Sequence, residues 1–481
     1  MTFYRNSLDI SYHDMTYYDM FIGRDKELRT LQEMYDSDRF EMAVVYGRRR
    51  VGKSELIKKF CENKPTIHFA AVENSAAYNL SAFATSIFNA KGNVDLPIPN
   101  PEYAHDYVKL LDYLVDISQK QKIILVIDEY PYLAKAEKAF SSILQKYIDN
   151  SFSKTNSMLI LCGSSMSFME NQVLGYKSPL YGRRTAQFKI EPFDYVEASR
   201  FVDNYSQQDK LLTYGIFGGT PYYLAQINNK INLQSNFQKL FFTTGGLLFE
   251  EPVNLIKQEL REPQVYNSII TAIANGSTRI AEIAGKIQKS TNLVDKYIRK
   301  LIALGLVKRE KPYGEKLGKR SIYILSENMF KFWFKYVQDN MSMIMKGFEN
   351  EVAQNVWLDI NNYMGRVFED ICTQFLWNNY KTLPIKPREI GRWWGNNPAQ
   401  RCEEEIDILA IDGDSAIFGE CKFRNEKLGS ETLENIKRKS DLFKVKTKYY
   451  YLFSKSGFTN EVMQIAAIES NIRLLSLNDL I

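Results

Sequence analysis

"VVYGRRRVGKSELIKKF", residues 44–60, decides how the first part of the chain is read. The apolar run Met42–Tyr46 has the character of a buried strand. It leads straight into Gly47, from which Gly52, Lys53 and Ser54 fall in the register GxxxxGK[ST]. The glycines let backbone N–H groups wrap a phosphate, and the helix begun by "SELIKKF" offers its positive end. Lys53 reaches the terminal phosphates, and Ser54 gives its hydroxyl to Mg²⁺. Further along comes "KIILVIDEYPYL", whose apolar residues make a central parallel strand ending in Asp128, seventy-five residues after Lys53, and Glu129. Ligands bind at that end of such sheets. Asp128 is the candidate magnesium ligand and Glu129 the candidate base for an attacking water. The same two acids could merely cap the next helix. Two motifs in this order, each on the right element, point to nucleotide binding instead.

"TIHFAAV" (66–72) supplies a strand between the two motifs, and "SMLILCGSS" (157–165) a further one ending in Ser164 and Ser165. This order resembles the AAA+ and related signalling ATPases, where a polar residue after the fourth strand senses the γ-phosphate. By that resemblance Ser164 or Ser165 takes the role. "FIGRDKELRTLQEMY", "LVIDEYPYL", "LCGSS", "SPLYGRRTAQFKIEPF" and "GGTPYYL" look like successive motifs of the archaeal-type ATPase family of prokaryotes. That family is similar to origin-recognition and STAND signalling ATPases, and the likeness covers roughly residues 20 to 330. It implies that Phe21 to Arg24 line the adenine side and that Gly219 to Pro221 belong to a helical lid. Arg183 and Arg184 become candidate arginine fingers in a homo-oligomer, or equally ion-pair partners within the fold.

Composition narrows the chemistry. The chain has 481 residues, 45% hydrophobic and 25% charged, as a soluble globular protein of several domains has. Five scattered cysteines (61, 162, 372, 402 and 421) contain no CxxC pair, and the three histidines all lie within the first 105 residues. Any metal must therefore sit on carboxylates, which suits magnesium or manganese. No apolar run is long enough for a membrane span, and the N-terminus lacks a signal-peptide core, so the cytoplasm is the expected compartment. The net charge of +5 is uneven: residues 263–325 hold twelve Lys/Arg against four Asp/Glu.

That basic window parses as a helix-turn-helix with a wing. Ile269, Ile270 and Ile273 share one helical face, "TRIAEIAGKI" is a second helix, and Ser290-Thr291-Asn292 caps a third that ends at Gly305. "LVKRE" and "RSIYIL" then alternate as a two-stranded wing. In a DNA-binding reading Lys289, Lys296, Arg299 and Lys300 face a major groove, while Lys316, Lys319 and Arg320 meet the backbone. Winged helices also serve as protein-interaction modules; the local charge favours double-stranded DNA.

After an aromatic connector, "ENMFKFWFKYVQDNM", whose rings suit a core, comes the amphipathic helix "NYMGRVFEDICTQFL" with Glu369. "EEEIDILAIDGDSAIFGECKF" then reads as two strands joined by Asp412-Gly413-Asp414. Asp407 sits in the first strand, and Glu420 and Lys422 share a face of the second. Helix acid, strand acid, hairpin, E-x-K: this order resembles the PD-(D/E)xK nucleases, and specifically the C-terminal domain attached to archaeal-type ATPases. The resemblance implies that Asp407 and Glu420 ligate Mg²⁺, that Lys422 acts on the water or the phosphate, and that Glu369 assists. Ile406 stands where proline would precede the first acid, and a plain Glu420–Lys422 salt bridge is the competing account.

The expected fold is α/β: a P-loop AAA+-like ATPase core (1–190) with a helical lid (191–255), a winged-helix domain (256–330), a helical connector (331–355), and a C-terminal α/β restriction-endonuclease-like domain (356–481). ATP and Mg²⁺ are the expected cofactors. The alternative is a STAND-like regulatory ATPase whose C-terminal domain only binds DNA or a protein partner.

Overall fold

The computed structural model describes residues 21–90, 94, 105–318, 320–398 and 400–481; Lys319, one of the expected wing residues, lies outside them. Two compact units divide the chain. The first holds the residues up to Val45 together with Gly52–Cys162 and Arg183–Phe188, and the second holds Tyr46–Val51, Gly163–Gly182 and Lys189–Ile481.

The first unit is built on a five-stranded sheet. Its elements are α1 (Asp25–Asp36), β1 (Glu41–Tyr46), α2 (Lys53–Cys61), β2 (Thr66–Ala70), α3 (Ala76–Asn89), α4 (Tyr107–Lys120), β3 (Ile124–Asp128), α5 (Tyr130–Ala136), α6 (Phe140–Asn150), β4 (Met158–Gly163) and β5 (Ala186–Lys189). The strand order is β2-β3-β4-β1-β5, with β2, β3 and β4 parallel. Every residue of β1, β3 and β4 is buried. That explains their unbroken apolar runs, since a strand covered on both faces has no side left for alternation. Helix α4 starts where Asp106 accepts a hydrogen bond from the Lys109 N–H at 2.7 Å.

The second unit begins with helices, among them α7 (Gln207–Phe217) and α8 (Glu251–Glu259). Next come α9 (Pro263–Ala274), α10 (Ile280–Ile287) and α11 (Thr291–Ala303), followed by the antiparallel hairpin β6 (Val307–Glu310) and β7 (Ile322–Leu325). Ser290 caps α11 through the Leu293 N–H, and the helix closes with the Leu306 N–H donating to the Leu301 carbonyl at 2.9 Å. The connector rings are core: Phe330, Phe332, Trp333 and Phe334 are all buried.

A single helix, α12 (Glu349–Asn378), then runs for 30 residues, about 45 Å at 1.5 Å per residue. The expected division between connector and C-terminal region at 355/356 falls inside it. The apolar stripe Val352, Val356, Ile360, Tyr363, Val367 continues without a break, so nothing ends the helix there.

A second sheet follows: β8 (Gly391–Asn397), β9 (Cys402–Asp412), β10 (Ser415–Lys422), α13 (Ser430–Ser440), β11 (Thr447–Ser454), α14 (Asn460–Ile468) and β12 (Ile472–Ser476). Its order is β12-β11-β10-β9-β8. The β8-β9-β10 pairs are antiparallel and the β10-β11-β12 pairs parallel. The β9–β10 ladder continues to the pair Asp412–Ser415, leaving Gly413 and Asp414 as a two-residue turn with Gly413 at φ +57°. One face of the sheet, with Ile408, Ala410, Ile417 and Phe453, joins the core of α7 and α12. The other, with Ile406, Leu409, Phe418 and Leu452, forms a separate core with α13 and α14.

Candidate functional site

The loop after β1 runs from Gly47 to Gly52 and leads directly into α2. A Cβ on Gly47 would stand 2.4 Å from the Ile190 carbonyl oxygen, so no side chain fits there. Gly52, at φ +88°, opens α2, and Lys53 begins that helix in a buried position. The Ser54 hydroxyl donates to Asp128 Oδ2 at 2.9 Å, and the Glu129 N–H donates to Asp128 Oδ1 at 2.8 Å. An oxygen pair so spaced matches two adjacent ligands of an octahedral ion with arms of about 2.1 Å, so the Ser54–Asp128 pair fits Mg²⁺. Glu129 stands in the left-handed region, φ +49° and ψ +42°, a conformation that costs a non-glycine residue roughly 1–3 kcal/mol. Ser164 and Ser165 follow β4 directly, with Ser164 buried. Arg183 is held within the first unit by Asp149, with Nε at 3.0 Å and Nη2 at 2.9 Å from its two carboxylate oxygens. Arg184, half-buried, has no ion pair among the described residues. Composition gave no hint that the loop arginines Arg48, Arg49 and Arg50 each engage a different carboxylate far along the chain.

A second polar centre forms in the C-terminal region. Helix α12 brings Glu369, β9 brings Glu405 and Asp407, and β10 brings Glu420 and Lys422. Carboxylate oxygens of Glu369, Glu405 and Asp407 lie within 4.8 Å of one another. Opposite ligands across a Mg²⁺ stand about 4.2 Å apart, so this set closes on such an ion with small side-chain shifts. Asp407 Oδ2 accepts the Cys421 N–H at 2.9 Å, which ties β9 to β10 at the site. Lys422 Nζ donates to Glu420 Oε1 at 2.5 Å and lies 3.8 Å from Asp407. The buried Glu420 Oε2 accepts no hydrogen bond; Lys439 of α13 stands 3.7 Å away. Arg392 pairs with both Glu405 and Glu369, and Arg366 bridges Glu369 at 2.8 Å and Glu310 of β6 at 2.6 Å. Burial and the charge of Asp407 push the Glu369 carboxyl up to about 8, against the pull of Arg366. Burial, again with Asp407, raises Glu420, while the acids around Lys422 raise its ammonium despite burial.

The structure thus joins all four expected residues, Glu369, Asp407, Glu420 and Lys422, in one place. The three-carboxylate set contains Glu405 where Glu420 was expected. Glu405 lies two residues before Asp407 and so shares its face, but it is the last of three consecutive glutamates and gave no separate signal. Arg366 and Arg392 were not foreseen at all.

Comparisons with known proteins match the first part of the chain to an ATPase family. Residues 21–227 match a family described as an ATPase domain predominantly from Archaea, and residues 333–437 one described as archaeal and bacterial proteins of unknown function. An uncharacterized protein of Methanocaldococcus jannaschii is 33% identical over 446 residues, covering 91% of this chain and 96% of its own. An uncharacterized ATP-binding protein of the same organism is 49% identical over 45 residues, 9% of this chain and 76% of its own. Among solved structures, the Walker-type ATPase of Pyrococcus abyssi superposes with a TM-score of 0.51 at 19% identity, over 66% of this chain and 97% of its own. Among the described residues no helix is long and apolar enough to cross a membrane. With the phosphate loop, the acidic strand and a relative alike over nearly its whole length, the chain belongs to the family of P-loop ATPases found predominantly in Archaea.

Proposed function

We propose that the chain binds and hydrolyses ATP, engages double-stranded DNA through a winged helix formed by α9–β7, and carries a Mg²⁺-dependent nuclease site on α12, β9 and β10. In the ATPase, Lys53 faces the β- and γ-phosphates and the backbone N–H groups of residues 47–54 receive them. Ser54 and Asp128 would hold Mg²⁺, which would neutralise phosphate charge. Glu129 takes the proton of the attacking water, and Ser164 or Ser165 meets the γ-phosphate. Arg184 is the better arginine-finger candidate for a homo-oligomer, because Asp149 already occupies Arg183.

The nuclease reading rests on one observation, the meeting of Glu369, Glu405 and Asp407 beside Lys422. Asp407, with Glu420 or Glu405 beside it, would hold Mg²⁺, which would supply Lewis acidity toward a phosphate diester. Lys422, its ammonium kept charged by the acids beside it, orients the water or stabilises charge on the phosphate, and Glu369 completes the site from α12.

One feature favours a second reading, a STAND-like regulatory ATPase whose C-terminal region only binds DNA or a protein. Arg366, Arg392, Lys422 and Lys439 already balance the acids in ion pairs. A cleavage panel of plasmid, linear duplex, single-stranded DNA and RNA, with Mg²⁺ and with or without ATP, separates the two. Cleavage by the parent chain and its loss in Asp407→Ala support the nuclease. Intact substrates throughout, with ATP hydrolysis preserved, support the regulatory reading.

A further inference from the structure

Between Gly47 and Gly52 the phosphate loop carries Arg48, Arg49 and Arg50 in a row. Three guanidinium groups beside the seat of a polyphosphate look like phosphate ligands. Each is instead paired with its own carboxylate: Arg48 with Glu327, Arg49 with Glu259 at 3.0 Å, and Arg50 with Glu251. Two of those acids are the first and last residues of α8, about 12 Å apart along its axis, so one helix grips two adjacent loop residues. The third pair is buried on both sides, with Arg48 at 5% and Glu327 at 3% exposure. Thr220 lies in the same cluster, its hydroxyl donating to Glu327 Oε2 at 3.3 Å.

The grip on Arg50 is manifold. Its guanidinium stands 5.0 Å from the centre of the Tyr222 ring, its carbonyl accepts the Tyr222 N–H at 3.4 Å, and Glu251 also accepts the Tyr223 hydroxyl at 3.0 Å. Arg50 needs that support. Its φ of +72° is a left-handed conformation that a non-glycine residue keeps only when its surroundings impose it. We infer that Glu251, Glu259 and Glu327 are positioning residues for nucleotide binding: through Arg50, Arg49 and Arg48 they fix the turn whose backbone N–H groups receive the phosphates. The carboxylates also balance the three guanidinium charges.

The test uses the full chain. Fluorescent-ATP titration, steady-state KM and kcat, and nucleotide-free melting are measured for Glu251→Gln, Glu259→Gln and Glu327→Gln. The expected result is a rise of about tenfold or more in Kd and KM with kcat changed by less than about twofold, the signature of lost uniform binding. The exchanged pair Arg50→Glu with Glu251→Arg should regain affinity that each single change loses. Should the buried Glu327→Gln melt below the assay temperature, Glu259→Gln, whose partner is partly exposed, carries the test. Parent-like Kd in folded Glu251→Gln and Glu259→Gln overturns the inference. So does an exchanged pair that stays weak, because the arginine itself would then be the phosphate ligand, and so does a fall in kcat at constant KM.

Discussion

At the scale of single residues, the two halves of ATP chemistry separate cleanly. On the proposed function, Lys53→Ala removes the charge that would face the β- and γ-phosphates, and tight nucleotide binding should disappear in a titration. Glu129→Gln keeps the Asp128 contacts, which come from the backbone N–H of residue 129 and from Ser54. Binding should therefore survive while hydrolysis falls about a hundredfold or more, the usual worth of a general base; parent-like turnover would remove Glu129 from that role. In the acidic centre, Glu369 makes a prediction about pH. Its folded value, about 8, lies above the ordinary 4.5, so folding takes up a proton between the two. Its stabilising contribution is complete below pH 4.5 and is lost as pH rises through 8. Glu369→Gln should flatten that part of a melting-temperature profile. Because a metal needs the carboxylate, Mg²⁺ or Mn²⁺ should raise the melting temperature more at pH 8.5 than at pH 6. The comparison belongs in a nucleotide-free Lys53→Ala background, and equal shifts at the two pH values would count against Glu369 as a ligand.

Among the elements, α11 carries the clearest expectation. Arg299 is engaged by Asp295 at 2.7 Å, whereas Lys289, Lys296 and Lys300 are exposed and have no ion pair among the described residues. Converting those three lysines to glutamate should weaken duplex binding. It should also lower the slope of log affinity against log salt by roughly 2.7, at about 0.9 per phosphate contact. An unchanged slope would assign α9–β7 to protein contacts. These elements were legible in the sequence because each carries its own punctuation: Ser290 before α11, Gly305 after it, and Gly413 in the β9–β10 turn. The start of α12 was not. Its first turns mix Trp357 and the exposed Leu358 with asparagines and acids, which dilutes the stripe that burial of Val352, Val356 and Ile360 reveals. Glu405 was hidden by its glutamate neighbours, and the partners of Arg48 to Arg50 lie some 200 or more residues away, beyond any spacing rule.

For the molecule as a whole, the feature with the widest reach is that Tyr46–Val51 belongs to the second unit while Gly52–Cys162 belongs to the first. A fragment ending at residue 190 would keep every residue of the phosphate-binding motif yet lose Glu251, Glu259 and Glu327. Such a fragment should bind ATP far more weakly than the full chain, and a titration of the two side by side decides it. The same division bears on descent. If the three carboxylates position the loop as inferred, a gene segment covering the ATPase motifs alone should lose nucleotide affinity when moved between distant relatives, since the three arginines would arrive without the acids that accompanied them. Arginines in the loop and carboxylates at 251, 259 and 327 should therefore be inherited together, gained or lost as pairs, across a stretch of coding sequence that looks separable.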